Sequence, residues 1–257
     1  MKWVLAKAGL CSIMMSGCAP SNKSVSTHQI PTALAEPTTT ALLPEVITLW
    51  DGTDTSQLVM ARGGPCRWKV QGEELIVTAG TGDLVSAHPL GSGHYHVEWL
   101  SPPGGSRWRQ RNGNSGVKIA SRYELQILNS PGPEYLGPLP DDEAGSIYAY
   151  RAPDVNASNQ PGTWQTYDIH YTAPIWSDGI KKTDARLTVY WNGVLIHDDV
   201  AITTQTGASD DEGSSPQPLL LQDHASTTDP VRFRNIWFRP EAQRNLDRIR
   251  DTAPTQQ

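Results

Sequence analysis

Residues 94–100 read HYHVEWL, a stretch in which polar and apolar side chains alternate. Tyr95, Val97 and Trp99 fall on one face of an extended chain, and two histidines and Glu98 fall on the other. A repeat of two residues is typical of a β-strand with one face in the core and one face toward water. This stretch therefore predicts a half-buried strand.

The same alternation recurs along the chain, in YELQIL (123–128), TYDIHY (166–171), RLTVYW (186–191), PLLLQDH (218–224) and RFRNIWF (232–238). In the last of these it places Phe233, Asn235 and Trp237 on one face. We expect Trp99, Trp191 and Trp237 to be core residues. Segments rich in Gly, Pro and Asn, such as WNG, separate the runs. The pattern predicts an all-β fold, a two-sheet antiparallel jelly-roll sandwich.

Composition narrows the range of partners. The 257 residues include 21 Lys and Arg against 27 Asp and Glu, a formal net charge of −6. Because binding to nucleic acid needs clustered basic side chains, an acidic chain without a basic block is not expected to bind it.

The N-terminus predicts export. Residues 1–17 resemble a secretory signal peptide, and the sequence MSGC ending at Cys18 resembles a bacterial lipobox. Cys18 is then the lipidated first residue, and Ala19 after it favours the outer membrane of the cell envelope. The alternative is ordinary secretion with a different cleavage site. We expect a flexible tether over 18–44, a folded domain over 45–240 and a polar tail over 241–257.

Several predicted strands carry polar side chains on the face away from the core. We expect these side chains to converge on one concave surface if the strands lie side by side. They include Glu98, Glu124, Gln126, Gln222, His224 and Arg234.

The order of motifs over about 46–240 resembles the 3-keto-disaccharide hydrolase family. The resemblance rests on LWDG (49–52), GDLV (82–85), HVEW (96–99), GNSGV (113–117), RYELQIL (122–128), GSIY (145–148), PGTWQTYD (161–168), WNGV (191–194), LLLQDH (219–224) and VRFRNIW (231–237). It implies a concanavalin A-like jelly roll that acts on 3-keto-glycosides. The implied reaction is elimination across C1–C2 of the sugar, with hydration, so that the glycosidic bond is cleaved.

A similar fold also carries glycosidases that use two carboxylates on one strand, about 5–5.5 Å apart. The nearest segment here is Glu124 to Asn129, in which only the first acid is present. Conventional two-carboxylate hydrolysis is therefore disfavoured. Elimination from a 3-keto sugar differs, because the ketone acidifies the C2 proton and one general base can start the reaction.

The residues allow roles to be assigned for such a reaction. His224 is the first candidate for the catalytic base or acid, and Glu124, whose pKa partial burial would raise, is the second. Arg234 is expected to stabilise the enolate or orient Glu124. The residues expected to contact the sugar are Gln126, Gln222, Asn114 and Glu98, with Trp164 or Trp108 stacking on its ring.

Alternatives stay open for each role. His224 could be an ordinary strand-end histidine, and Glu124 an ion-pair partner of an arginine. No cofactor is certain. Binding of a divalent metal stays open, because His94, His96 and His170 are three candidate ligands, although their spacing does not match a known zinc motif. The family pattern often has Asp where Asn129 stands, which weakens a metal site there. A non-catalytic, lectin-like carbohydrate-binding module is the second functional hypothesis.

Overall fold

The computed structural model describes residues 44–103, 110, 113–129, 132, 135–225 and 230–241. The predicted signal peptide lies outside these residues, as do Cys18 and Trp108. The same holds for the tether and the tail, except for residues 44 and 241. The strands are β1 Ile47–Trp50, β2 Leu58–Met60, β3 Lys69–Gln71, β4 Glu74–Ile76, β5 Leu84–Ser86, β6 Gly93–Leu100, β7 Ser115–Ile119, β8 Tyr123–Ile127, β9 Gln165–Thr172, β10 Trp176–Ser177, β11 Ile180–Lys181, β12 Ala185–Trp191, β13 Val194–Ile202, β14 Leu220–Leu221 and β15 Arg232–Pro240.

These strands form two main antiparallel sheets and a short ribbon. The eight-stranded sheet has the order β13-β12-β9-β6-β15-β4-β3, and β1 also pairs with β15. The five-stranded sheet has the order β2-β5-β14-β7-β8, and β10 and β11 form the ribbon. Within the described ranges, no helix has the length and hydropathy needed to cross a bilayer.

The inner faces of the two sheets pack on each other as a sandwich. Tyr123 of β8 and Tyr171 of β9 have ring centroids 6.0 Å apart, although they belong to different sheets. Trp99 lies 5.4 Å from Tyr167 and 6.4 Å from Trp191, and all three side chains are buried. Since burial of one large apolar side chain stabilises a fold by roughly 1.5–3 kcal/mol, this layer holds the sheets together. The expected all-β antiparallel sandwich is confirmed.

The WNG segment forms a tight turn between β12 and β13. Trp191 pairs with Val194, and Asn192 and Gly193 have φ angles of 52° and 78°. Two central residues with positive φ are typical of a type I′ turn, which Asn-Gly favours. The Asn192 side chain also accepts a hydrogen bond from the Thr166 N–H at 2.8 Å, which fixes the hairpin to β9.

Strand β15 departs from the expected alternation. Its pairing with β6 shifts between Arg234 and Trp237, and Asn235 has a φ of 44°. This β-bulge brings Ile236 into the core beside Phe233 and leaves Asn235 and Trp237 on the outer face. The prediction that Asn235 and Trp237 share the face of Phe233, with Trp237 in the core, is therefore wrong.

Candidate functional site

The outer face of the five-stranded sheet carries a compact group of polar side chains. Lys118 of β7 pairs with Glu124 of β8, and Gly116 pairs with Gln126. On the other side of β7, the N–H of Gln222 donates to the Gly116 carbonyl at 3.0 Å. Since side chains alternate along a strand, these residues point away from the core. We call Lys118, Glu124, Gln126 and Gln222 the polar face.

A long connection covers part of the polar face. Residues 203–219, the covering segment, join β13 to β14. The Lys118 ammonium donates to the Ala208 carbonyl at 2.6 Å, and the Glu124 N–H donates to the Thr206 hydroxyl at 2.8 Å. Every residue of β7 and β8 is buried: the inward-facing ones lie in the core, and the charged Lys118 and Glu124 lie on the covered face.

The Glu124 carboxylate lies between two glycines. A Cβ atom at Gly116 would come within 2.6 Å of Glu124 Oε1, and one at Gly207 within 2.7 Å of Oε2. Gly207 also has a φ of +58°, a conformation that favours glycine. Both positions therefore need glycine for the carboxylate to occupy this place.

Burial raises the pKa of the Glu124 carboxyl, because the charged form loses contact with water. The Lys118 ammonium, 3.3 Å from Glu124 Oε2, acts in the opposite direction and lowers that pKa. The nearby Asp83 raises it further. The net direction is upward, so Glu124 is a stronger base than an exposed glutamate.

Neutral amide side chains lie farther along the same face. The Gln126 side chain is 1% exposed; it donates to Gln110 Oε1 at 3.3 Å, and its own oxygen accepts from the Ile127 N–H at 3.1 Å. Asn114 donates to the Gln110 carbonyl at 2.9 Å. The side-chain oxygen of Gln222 is buried and has no hydrogen-bond donor among the described residues. Among the described residues of this face, the Gln222 side-chain oxygen thus has an unused capacity to accept a hydrogen bond.

His224 lies at the end of β14 and is exposed. The register of β14 on β7 pairs Leu221 with Val117, and Gln222 bonds to Gly116, so the chain runs toward the Asn114 end of β7. Asp223, between Gln222 and His224 in the sequence, is fixed by its N–H, which donates to Asp83 Oδ1 at 2.7 Å. His224 therefore belongs to the rim of the polar face, whereas Glu124 belongs to its buried centre.

Three of the predicted site residues lie elsewhere. Glu98 is on β6 and Arg234 on β15, both in the eight-stranded sheet, and Trp164 comes directly before β9 of that sheet. Arg234 Nε donates to Glu98 Oε2 at 2.6 Å, and its guanidinium lies 4.1 Å from the Trp164 ring centroid. The expectation that all outward polar residues converge on one surface is wrong, because these three are on the opposite outer face.

The outer face of the eight-stranded sheet holds a second polar network. Asp168 Oδ1 accepts from His94 Nε2 at 3.0 Å and is 2.7 Å from His96 Nδ1. The His94 ring stacks on His170, with centroids 4.4 Å apart, and His96 stacks on Trp237 at 5.0 Å. The two histidines lower the pKa of Asp168 below its usual range, and Asp168 raises the pKa of His96. This network satisfies its own polar groups.

The side chains of the polar face do not provide the set of ligands that a divalent metal ion needs. Such ions need several anionic or neutral ligands, but the partner of the single carboxylate, Glu124, is the ammonium of Lys118. Asn129 is also engaged, donating to the Pro102 carbonyl at 3.0 Å and accepting from the Ser101 hydroxyl at 3.3 Å. No set of three or more His, Cys, Asp or Glu residues is arranged to bind a metal within the part of the chain that the structure describes.

Sequence reasoning missed two residues of this region, Lys118 and Gln110. The alternation in SGVKI, residues 115–119, places Lys118 on the same face as Gly116 and was sufficient to find it. Gln110 has no such signal, because its sequence neighbours show no alternation of polar and apolar residues. It reaches the site through hydrogen bonds with Asn114 and Gln126.

Comparison with known proteins gives a family for this chain. The sequence profile of the 3-keto-alpha-glucoside-1,2-lyase-like domain matches residues 45–239. A proposed glycosyl hydrolase from Parabacteroides distasonis is 33% identical, with a TM-score of 0.69 over 76% of this chain and 83% of that chain. A second one from the same organism, 20% identical with a TM-score of 0.55 over 77% and 94% of the two chains, shares the fold.

A search among curated proteins found no match. The profile nevertheless covers most of the chain, and the motifs that it spans include those that build the polar face. The chain belongs to the family of 3-keto-alpha-glucoside-1,2-lyase-like domains.

Proposed function

We propose that this protein is a jelly-roll enzyme of the concanavalin A type that cleaves 3-keto-glycosides by elimination and hydration, with Glu124 as the general base. Family membership supports a carbohydrate-active role. The observation that carries the finer proposal is the buried Glu124 carboxylate, which has a raised pKa and shares its strand face with Gln126. A buried carboxylate with a raised pKa suits abstraction of a proton that a neighbouring ketone has already acidified.

The reaction can be written in three balanced steps. Glu124 takes the C2 proton, and the electron pair of the C–H bond forms the enolate of the C3 ketone. The enolate re-forms the carbonyl as the C1–O bond breaks, and the aglycone oxygen receives a proton. The products are the alcohol and a 2-hydroxy-3-keto-glucal, which adds water across C1–C2 to give the free 3-keto sugar.

The other residues of this region have supporting roles in the proposal. His224, exposed at the rim, is the proposed donor of the proton to the leaving oxygen, because a positioned imidazole is a common general acid. The unpartnered oxygen of Gln222 is suited to accept a hydrogen bond from a sugar hydroxyl. Asn114 and Gln126 hold the Gln110 side chain beside them.

The test uses purified protein and a 3-keto-glucoside with a chromogenic aglycone. We expect release of aglycone and transient 2-hydroxy-3-keto-glucal, a loss of kcat of at least about 100-fold in Glu124→Gln, and a smaller loss in His224→Asn. Val155→Ala, an exposed position away from the polar face, is the control and should keep full activity. Absence of turnover by the wild type would contradict the proposal.

A second function is favoured by one observation, the closure of Glu124 by Lys118 and the covering segment. A closure that persisted when sugar binds would keep the C2 proton away from Glu124 and leave binding without catalysis. Tight binding of unoxidised glycans without turnover, measured by calorimetry, would identify a lectin-like module instead.

We also propose that the domain is exported and anchored to the outer membrane through lipidated Cys18. The signal-like residues 1–17 and the lipobox-like MSGC support it. Metabolic labelling with a palmitate analogue should label the wild type and leave Cys18→Ser unlabelled. Equal labelling of both, or of neither, would contradict the anchor.

A further inference from the structure

We propose that Lys118 is a positioning residue that holds Glu124 as a carboxylate, aligned for proton abstraction. This inference rests on the proposed function. The ammonium nitrogen lies 3.3 Å from Glu124 Oε2, and both side chains are 4% exposed.

The first argument is the cost of burying this pair. Taking two charges out of water costs several kcal/mol for each ion, and their attraction offsets that cost only where the geometry is good. An apolar pair of similar volume would often stabilise a sheet as well or better. A buried pair on the outer face of a sheet is therefore weakly explained by stability alone.

The second argument is how Lys118 is held. Its ammonium also donates to the Ala208 carbonyl at 2.6 Å, so the nitrogen is fixed between the covering segment and Glu124. On the opposite strand, Glu124 has its N–H bound to Thr206 and its carbonyl bound to the Tyr148 N–H at 2.9 Å. Backbone and side chain of the acid are thus both fixed.

The third argument is electrostatic. Burial and the nearby Asp83 both favour the protonated form of Glu124, which cannot accept a proton. Lys118 supplies the charge that opposes them, and the other groups that face the carboxylate, Gly116 and Gly207, carry none. Without Lys118 the base would be neutral over a wider range of pH.

The experiment compares Lys118→Met with the wild type over pH 4 to 9. We expect the acid limb of kcat/KM, which reports the base in the free enzyme, to move up by about 1 to 3 pH units in the variant. At pH values well below this acid limb, kcat/KM of the variant should be at least about tenfold lower than that of the wild type, and it should recover at high pH. Lys118→Arg, which keeps the charge, should restore the position of the limb.

Lys181→Met is the matched control. Lys181 also holds the covering segment, through the Thr203 carbonyl and Glu212, but has no contact with Glu124. Its variant should lose stability without moving the acid limb. If Lys118→Met does not fold, Lys118→Gln removes the same charge while keeping a donor for Ala208.

A second readout separates this inference from the proposed function. Carbon-13 NMR of glutamate-labelled protein follows the titration of Glu124, assigned by its disappearance in Glu124→Gln. An upward shift in Lys118→Met without turnover in the wild type would reject the reaction and keep the role of Lys118 in holding the charge. An unmoved Glu124 titration and an unmoved acid limb would overturn the inference.

Discussion

The two outer faces of the sandwich carry ion pairs of similar chemistry in different surroundings. On the five-stranded sheet, Lys118 and Glu124 are each 4% exposed and lie under the covering segment. On the eight-stranded sheet, Arg234 and Glu98 are 36% and 17% exposed, and the guanidinium rests on Trp164. From this difference we expect a charge pair to be costlier to disturb where a loop covers it, because water can no longer replace a missing partner.

The largest effect is expected at the sealed pair. Lys118→Met leaves the Glu124 carboxylate without its cation, and removal of one partner of a buried pair typically costs about 3–5 kcal/mol. Urea unfolding at pH 7 measures the change. Adding Glu124→Leu should return part of the lost stability, and a double variant less stable than Lys118→Met would contradict this account.

The second effect concerns the space around the carboxylate. Gly207→Ala introduces a Cβ 2.7 Å from Glu124 Oε2 and 3.0 Å from the Tyr148 ring at a φ of +58°, and we expect a cost of about 2–3 kcal/mol. Gly80→Ala, at a φ of +77° with nothing within 4 Å, is the matched control for backbone strain alone. Equal thermal shifts in the two variants would remove the steric part of the argument.

The third effect is the pH dependence of the network of His94, His96 and Asp168 on the eight-stranded sheet. The lowered pKa of Asp168 contributes stability above about pH 3.8 that is lost as the pH falls. The raised pKa of His96 contributes stability below about pH 6.5 that is lost as the pH rises through its folded value. Asp168→Asn should therefore cost most near pH 5, roughly 1–2 kcal/mol, and less at pH 8.

Unfolding curves at pH 5 and pH 8 test this dependence. Asp199→Asn, which breaks the exposed pair with Arg186 and involves no histidine, should show no comparable difference between the two pH values. A cost of Asp168→Asn that is the same at both would show that the histidines do not couple to it.

The smallest effect is expected at the ion pair of Arg234 and Glu98. Arg234→Met should cost about 1 kcal/mol or less, because water solvates Glu98 when the guanidinium is removed and Asn235 still donates to it at 2.8 Å. Chemical unfolding of Arg234→Met and Lys118→Met under the same conditions compares the two losses of unfolding free energy directly. A cost as large as that of Lys118→Met would mean that sealing is not what distinguishes the two faces.

The alternation of side chains was enough to predict the sandwich and the direction of most of them. It placed Tyr95, Val97 and Trp99 inward, and it grouped Glu124 with Gln126 correctly. These inferences need only local chain geometry, because every second residue of a strand shares a face.

The sequence could not show which outward faces meet. Glu98 and Glu124 both point outward, but they are on different sheets, and sheet membership depends on pairing between distant segments such as β6 with β15. The bulge at Asn235 likewise reversed the expected face of Trp237 without any local signal. The burial of Glu124 depends on the covering segment, whose path is set by contacts with the β7–β8 hairpin.

The covering segment is held chiefly through its own backbone. Arg122 donates to the carbonyls of Asp211 and Ser215, and Thr206 and Asp210 donate their N–H groups back to the hairpin. Such bonds do not depend on which side chains the segment carries. Its solvent-facing positions are therefore open to redesign, for new ligand preferences or for attachment of a reporter dye. The backbone of the covering segment over the Glu124 carboxylate should keep its conformation in such variants.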